Sequence, residues 1–176
     1  MNLNRCSMPS NLRIFALTTL LLMNTGFFGR SEPLPNMPKD AELVELFRSH
    51  RDAFEKLAAM GMEDAGTVSH LSIETLTKEP LTDGRQNLPV IRRDEYKRLL
   101  SSIRPNLSVG IGNGVAFAYW RTVSRGRSCE KGITYIANSP ERVGIIVNNL
   151  DKQPLEDDVY LVPIEPKWYI IYSQLD

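Results

Sequence analysis

The residues best suited to covalent chemistry are one cysteine and two histidines: Cys129, His50 and His70. A cysteine attacks as its thiolate, so it needs a base or a nearby positive charge that lowers the thiol pKa. Arg127 and Lys131 flank Cys129, but His50 falls on the apolar stripe of a predicted helix and His70 flanks a predicted strand. We therefore predict no catalytic residue, and we expect Cys129 to lie in a polar loop and to be dispensable for folding.

Two further runs contain the residue types of binding loops. The run from Gly110 to Gly114 is glycine-rich, but strand-forming residues follow it, whereas a phosphate-binding loop opens a helix. The acidic run 156–158 lacks the spacing and the central glycine of a calcium loop. Two cysteines and two histidines are also few for a zinc site. We predict neither a bound metal nor a cofactor.

The stronger binding signal is positive charge on two predicted elements, a helix and the connection between two strands. If these elements adjoin, their side chains would form a patch for an anionic partner, such as an acidic protein, a lipid headgroup or a wall polymer. The alternative is a solvated face on which Asp94, Glu95 and Glu130 balance the charge. The candidate residues are Arg92, Arg93, Lys97, Arg121, Arg125, Arg127 and Lys131.

The composition excludes several other classes of protein. The 176 residues are 42% hydrophobic and 24% charged, which is an ordinary globular mixture of single-domain size. The 21 basic residues equal the 21 acidic residues in number, so the chain is not of the basic type that coats nucleic acid. Two cysteines are too few for a disulfide-rich scaffold.

Residues 1–31 have the pattern of a signal peptide. They contain three arginines and no acidic residue, and an apolar run extends from Ile14 to Met23. This run has the length of a signal-peptide core and is shorter than the roughly 20 residues of a membrane span. The small residues Gly29 and Ser31 suit cleavage before Glu32. We expect export to the periplasm or the medium, with an uncleaved N-terminal membrane anchor as the alternative.

Cleavage after Ser31 would leave a proline-rich tether, residues 32–39, and one domain, residues 40–176. Removing the three arginines leaves 18 basic against 21 acidic residues, which is a weakly acidic product. We expect this mature chain to contain no stable membrane span.

Apolar residues at three- and four-residue steps predict one long helix that begins at Asp40. Leu43 and Phe47 belong to this stripe, and Asp40 is of the type that caps a helix N-terminus. Gly61 or Gly66 would end the helix. A second helix is predicted to begin at Arg92 or Asp94 and to end at Ile103, because Pro105 follows.

The other apolar runs predict strands, because they are short, alternate in polarity or flank turn residues. The dipeptide Asn113-Gly114 indicates a tight hairpin whose turn residues have positive φ. The segment 139–150 fits either a short helix or a strand, and we favour the helix narrowly. The expected strands are 67–76, 108–111, 115–120, 131–137, 159–164 and 168–172.

These elements predict an α+β domain with a mainly antiparallel sheet of about five to six strands and two to three helices. The last hairpin is apolar on both faces, so we expect it inside the sheet with Trp168 in the core. The alternative is an exposed aromatic face that recognises a partner.

Several short motifs in the predicted domain resemble those of small exported bacterial proteins. They include Arg51-x-x-Phe54-Glu55, Tyr96-x-x-Leu99-Leu100, Lys131-Gly132-Ile133-x-Tyr135, Leu150-Asp151 and Trp168-Tyr169-Ile170-x-Tyr172. The resemblance implies bacterial export and a single domain, and it brings no active site.

The sequence therefore favours a non-enzymatic exported envelope protein that binds a protein or an anionic envelope component. The competing hypothesis is a small hydrolase or transferase whose site has no recognisable motif. Clustering of Cys129, a histidine and a carboxylate in the folded chain would favour the enzyme.

Overall fold

The computed structural model describes residues 36–78, 88–124, 127–152 and 158–175. These residues form a single α+β domain in which four α-helices accompany a seven-stranded, mostly antiparallel sheet. The predicted fold class is confirmed, although the sheet has slightly more strands than expected. The predicted signal peptide and most of the tether lie outside the described residues. In the described part of the chain, no helix is both long and apolar enough to cross a membrane.

The first predicted helix is in fact two helices. Helix α1 spans Asp40–Ser49 and α2 spans Arg51–Glu63, and His50 between them has φ −126° and ψ 25°. The amide of His50 still donates to the carbonyls of Leu46 and Phe47, so the break is short. The apolar stripe continues across it, which explains why periodicity alone does not reveal two helices.

The predicted strand at 67–76 is divided between a strand and a helix. Strand β1 covers His70–Ser72 and α3 covers Ile73–Thr77. The Ser72 hydroxyl accepts from the Thr75 amide, and the Thr75 hydroxyl accepts from the Ser72 amide. This capping box starts a helix where alternation suggests a continuing strand. Helix α4 spans Val90–Ile103, close to the prediction.

The sheet has the order β1-β2-β3-β4-β7-β6-β5, and only the β5–β6 pair is parallel. Strand β7 lies between β4 and β6, so the last hairpin is inside the sheet as predicted. The remaining strands are β2 Ser108–Ile111, β3 Val115–Ser124, β4 Arg127–Tyr135, β5 Ile145–Ile146, β6 Val159–Glu165 and β7 Trp168–Leu175.

Two details of the turns differ from expectation. The β2–β3 hairpin is present, but its loop has three residues, 112–114, and neither Asn113 nor Gly114 has a positive φ. The ambiguous segment contains a short 3-10 helix, Pro140–Arg142, followed by β5. Each alternative for 139–150 therefore describes one part of that segment.

The core joins helices α1 and α2 to one face of the sheet through aromatic rings. Trp168 is 4% exposed, and its ring centroid lies 4.9 Å from that of Phe47 and 6.1 Å from that of Phe117. Phe54 meets Phe117 edge-on at 5.0 Å. Rings in these geometries contribute attraction beyond the burial of apolar area. The predicted burial of Trp168 is confirmed.

Cys129 does not lie in a polar loop. Residues 127–135 form β4, and Cys129 is buried in the hydrophobic core opposite Thr122 of β3. The sequence interpretation was wrong because charge near Cys129 does not indicate exposure: one of the flanking charged residues, Lys131, is itself buried on β4. A buried thiol behaves as a small apolar group, so the expectation that Cys129 is dispensable must be reversed.

Cys129→Ser is expected to lower the free energy of unfolding by about 1–3 kcal/mol, because the hydroxyl loses its hydration on burial. Urea denaturation measures this change. Cys129→Ala, which loses volume without adding a polar group, separates the cost of polarity from the cost of a cavity. A serine variant as stable as the parent chain would contradict the burial.

Candidate functional site

A cleft of about 420 Å³ lies between helix α2 and the turn of the β6–β7 hairpin. Its volume is within the range of roughly 300–1,000 Å³ that is typical of ligand-binding sites. We call it the hairpin cleft. The apolar part of its lining consists of Ala58, Ala59, Met62, Tyr135, Pro166 and Trp168.

The cleft exists because small side chains face large ones across it. Ala58 and Ala59 are adjacent on α2, and their methyl groups leave space that a larger residue would fill. The rings of Tyr135 and Trp168, 5.2 Å apart and inclined by 60°, provide an aromatic floor. Met62 is 38% exposed at the same site. Such a surface favours an apolar group over water.

Four charged residues form the rim of the hairpin cleft, and three of them are joined. Arg51 binds Glu55 through Nε and Glu165 through Nη2, each at 2.9 Å. Arg51 thus connects the start of α2 to the end of β6. The fourth, Lys167, is exposed and has no ion pair with any described residue.

The helical part of the predicted anionic-partner patch is largely neutralised by nearby carboxylates. Arg92 binds Glu63 at 2.7 Å and Asp64 at 2.9 Å. Lys97 lies 3.6 Å from Asp94, and Arg93 is half-buried. The structure therefore brings basic residues together along α4, with acidic partners among them.

The strand part of the patch is dispersed. Arg121 is exposed on β3 and pairs with Glu130 at 2.6 Å. Arg125 lies outside the described residues. Arg127 begins β4, and nothing is described of its side chain. Lys131 is fully buried, so this lysine is unavailable to an external partner. Whether the other residues bind an anionic partner stays a prediction.

Lys131 instead pairs with two acidic residues, the buried Asp40 and the exposed Asp151. Its Nζ lies 2.8 Å from Asp40 Oδ1 and 3.0 Å from Asp151 Oδ1, and it donates to the Pro38 carbonyl at 2.8 Å. Asp40 Oδ1 has no well-directed hydrogen bond among the described residues, so its contact with the ammonium is mainly coulombic. This cluster fastens the chain before α1 to the centre of β4.

The sequence predicted that Asp40 caps α1, but the capping carboxylate belongs to Asp151 of the same cluster. Asp40 is the first residue of α1, and its Oδ2 accepts from the Leu150 amide at 2.7 Å. The carboxylate of Asp151 accepts from the Asp40 amide at 3.1 Å. A residue 111 positions away therefore caps α1 and places a negative charge at its positive end.

The structure gives little support to a thiol nucleophile. Cys129 belongs to the apolar core, and His50 lies at the junction of α1 and α2. Within the described ranges, no group of three His, Cys, Asp or Glu side chains is arranged to hold a metal ion.

His70, half-buried on β1, has a perturbed pKa. Burial, followed by the positive charge of Arg121, lowers the His70 pKa below its ordinary value of 6.5, and Glu130 partly opposes this. The protonated imidazole is therefore less favourable in the folded chain than in the unfolded chain.

Because of this shift, His70 should destabilise the fold as the pH falls below 6.5 towards its lower folded pKa. In that window the unfolded state binds more protons, so stability increases with pH. His70→Gln should therefore lose less stability than the parent chain between about pH 7.5 and pH 5.5, as measured by urea denaturation. Equal losses in both proteins would show that His70 contributes nothing.

Sequence reasoning placed Tyr135 and Trp168 in strands but did not single out the hairpin cleft. The available signals were two adjacent alanines at the edge of the apolar stripe and a hairpin turn, Pro166-Lys167, without glycine. Neither signal indicates a cleft by itself, because the cleft forms only where folding places the turn next to α2.

Comparison of the chain with family models, curated proteins and solved structures found no match. The resemblance to small exported bacterial proteins therefore remains an expectation from the residues alone. The fold and the cleft define a small α+β domain with a candidate binding site at one end of its sheet.

Proposed function

We propose that the chain is an exported, non-enzymatic binding domain that recognises a protein partner through the hairpin cleft. The observation that carries this proposal is the cleft itself, an apolar space with an aromatic floor and a charged rim. Protein interfaces typically combine an aromatic anchor site with a polar border. The N-terminal pattern of residues 1–31 supports export.

The two other hypotheses have weaker support. An anionic envelope component would use the basic residues of α4 and β3, but Arg92 and Arg121 already pair with carboxylates. A hydrolase or transferase would require a reactive group in a cleft, but Cys129 lies in the core.

Site-specific photocrosslinking tests the protein-binding proposal. Benzoylphenylalanine at position 59 should crosslink to a partner in the native host, because Ala59 lines the hairpin cleft. The matched control is position 52, which is exposed on α2 but does not line the cleft. The partner should be an envelope or secreted protein. Absence of a crosslink, or equal crosslinking at both positions, would contradict the proposal.

Export is tested separately by N-terminal sequencing of the chain recovered outside the cytoplasm. We expect a mature N-terminus near Glu32, because the small residues Gly29 and Ser31 precede it. Recovery of a cytoplasmic form that retains the complete N-terminal segment would reject export and leave the crosslinking result to stand alone.

A further inference from the structure

Lys131 lies at a place in the sheet where a charged side chain is costly. It is on the same face of β4 as the core residues Cys129 and Ile133. Its cross-strand neighbours are Trp120 of β3 and Tyr172 of β7. Directly paired residues point to the same face, so two aromatic residues flank the lysine. Lys131 is fully buried, and an ammonium group removed from water loses its hydration.

The ion pair between Lys131 and Asp40 has a neutral counterpart. When one proton passes from Nζ to Asp40 Oδ1, 2.8 Å away, the pair becomes an amine and a carboxylic acid. The neutral pair loses less hydration on burial than the charged pair does. Asp40 Oδ1 has no well-directed hydrogen bond among the described residues, so the transferred proton displaces none.

The contacts of Nζ direct a neutral amine towards the carboxyl group of Asp40. Such an amine has two N–H bonds and one lone pair, and the lone pair makes it a nucleophile. The Pro38 carbonyl lies 2.8 Å from Nζ, and Asp151 Oδ1 lies 3.0 Å from it. These two oxygens accept the two N–H bonds. The lone pair is then left on the side of Asp40, the third contact of Nζ.

The two carboxyl groups beside Nζ have different environments. Asp40 is buried, whereas Asp151 is exposed. A buried carboxyl group suits the neutral acid form and a hydrated one suits the carboxylate, which accepts protons. The Leu150 amide donates to Asp40 Oδ2 at 2.7 Å. An N–H group aimed at that oxygen stabilises the negative charge that the oxygen gains when a nucleophile attacks the carboxyl carbon.

We propose that Lys131 and Asp40 become joined by an intramolecular isopeptide bond, with Asp151 as the group that transfers the proton. The Lys131 nitrogen bonds to Cγ of the Asp40 carboxylic acid, and Asp151 accepts a proton from that nitrogen. Asp151 then donates this proton to Oδ1, the Cγ–Oδ1 bond breaks, and one water leaves. The product is an amide whose oxygen, Oδ2, keeps its hydrogen bond from Leu150. The ion pair is the arrangement from which this bond forms.

The bond would close residues 40–131 into a covalent loop that persists when the chain unfolds. A crosslink between distant positions stabilises a fold mainly by constraining the unfolded chain. Exported proteins commonly use disulfides for this purpose. The predicted mature chain retains a single cysteine, Cys129, and so has no internal disulfide. An isopeptide bond supplies the same constraint without a second thiol.

Mass spectrometry of the purified chain in denaturant tests the proposal. We expect a mass about 18 Da below that of the linear chain, because one water is lost. Trypsin should then release residues 40–48 bound to residues 128–142, since it does not cleave after an acylated lysine. This branched peptide is the decisive observation, because cyclisation of an N-terminal Glu32 or of Asp83-Gly84 removes the same mass.

Asp151→Asn separates proximity from proton transfer. The asparagine oxygen can still accept from the Asp40 amide, but it does not take up a proton, so this variant should keep the mass of the linear chain. The internal control is the pair Lys56 and Glu95, which are in contact at the surface and should yield no branched peptide. Urea denaturation of Lys131→Met does not distinguish the bond from the ion pair, because both are lost.

Recovery of the linear chain, with residues 40–48 and 128–131 as separate tryptic peptides, overturns the proposal. A bridge from residues 128–142 to residues 143–152 also overturns it, because Asp151 would then be the group that is attacked. Complete bridging in Asp151→Asn would reject the proton transfer assigned to Asp151. None of these outcomes depends on a partner or on the hairpin cleft.

Discussion

Replacing Lys131 by methionine is expected to lower the free energy of unfolding by about 3–5 kcal/mol, because it leaves the buried carboxylate of Asp40 without its cation. Lys131 is fully buried, and among the described residues its Nζ contacts Asp40, Asp151 and the Pro38 carbonyl. Methionine has a similar length, so little of the loss should come from an empty cavity. Urea denaturation followed by far-ultraviolet circular dichroism measures the change.

Two companion variants identify the cause of this loss. Lys152→Met, at an exposed lysine, should remain within about 0.5 kcal/mol of the parent chain. The triple variant Lys131→Met, Asp40→Asn and Asp151→Asn should be more stable than the sum of its single changes predicts, because its members interact. A loss below about 1 kcal/mol in Lys131→Met would show that water compensates the carboxylates.

Trp168→Ala should also cost about 3–5 kcal/mol, because it empties the centre of the aromatic core. The indole contacts Phe47, Phe54 and Phe117 from the helices and the sheet, and little of it is exposed. Without it, α1 and α2 lose much of the surface on which they pack. The midpoint of urea unfolding reports this change if the slope is constant.

Trp168→Phe is the matched variant, since it keeps an aromatic ring and removes only part of the volume. It should lose clearly less stability than the alanine variant. A Trp168→Ala protein that unfolds cooperatively with nearly parental stability, and has lost only partner binding, would refute the structural role of the indole. The residue would then belong to the binding surface alone.

The amino-acid sequence by itself determined the features that depend on neighbouring residues. The spacing of Leu43, Phe47 and Phe54 defined the apolar face of the first helical region. The two-faced apolar pattern at the C-terminus placed the last hairpin inside the sheet. These predictions succeed because the periods of helices and strands are set by backbone geometry within a few residues.

The local rules failed where a distant group decides the outcome. The residues around Cys129 were interpreted as a charged loop. A strand that buries a lysine contains the same polar residue types as a solvent-exposed turn, so the sequence does not distinguish the two. His50 interrupts a helix whose apolar period is uninterrupted. Periodicity records which face is buried and contains no information on a one-residue break.

Only the tertiary structure decided the burial of Lys131 and the existence of the hairpin cleft. Asp40 and Asp151 lie 111 positions apart, and their carboxylates make the burial of an ammonium group tolerable by meeting it inside the fold. The cleft likewise requires Ala59 of α2 to face Lys167 of the last hairpin. Such pairs leave no local pattern, because their energy depends on a distance in space that the spacing along the chain does not fix.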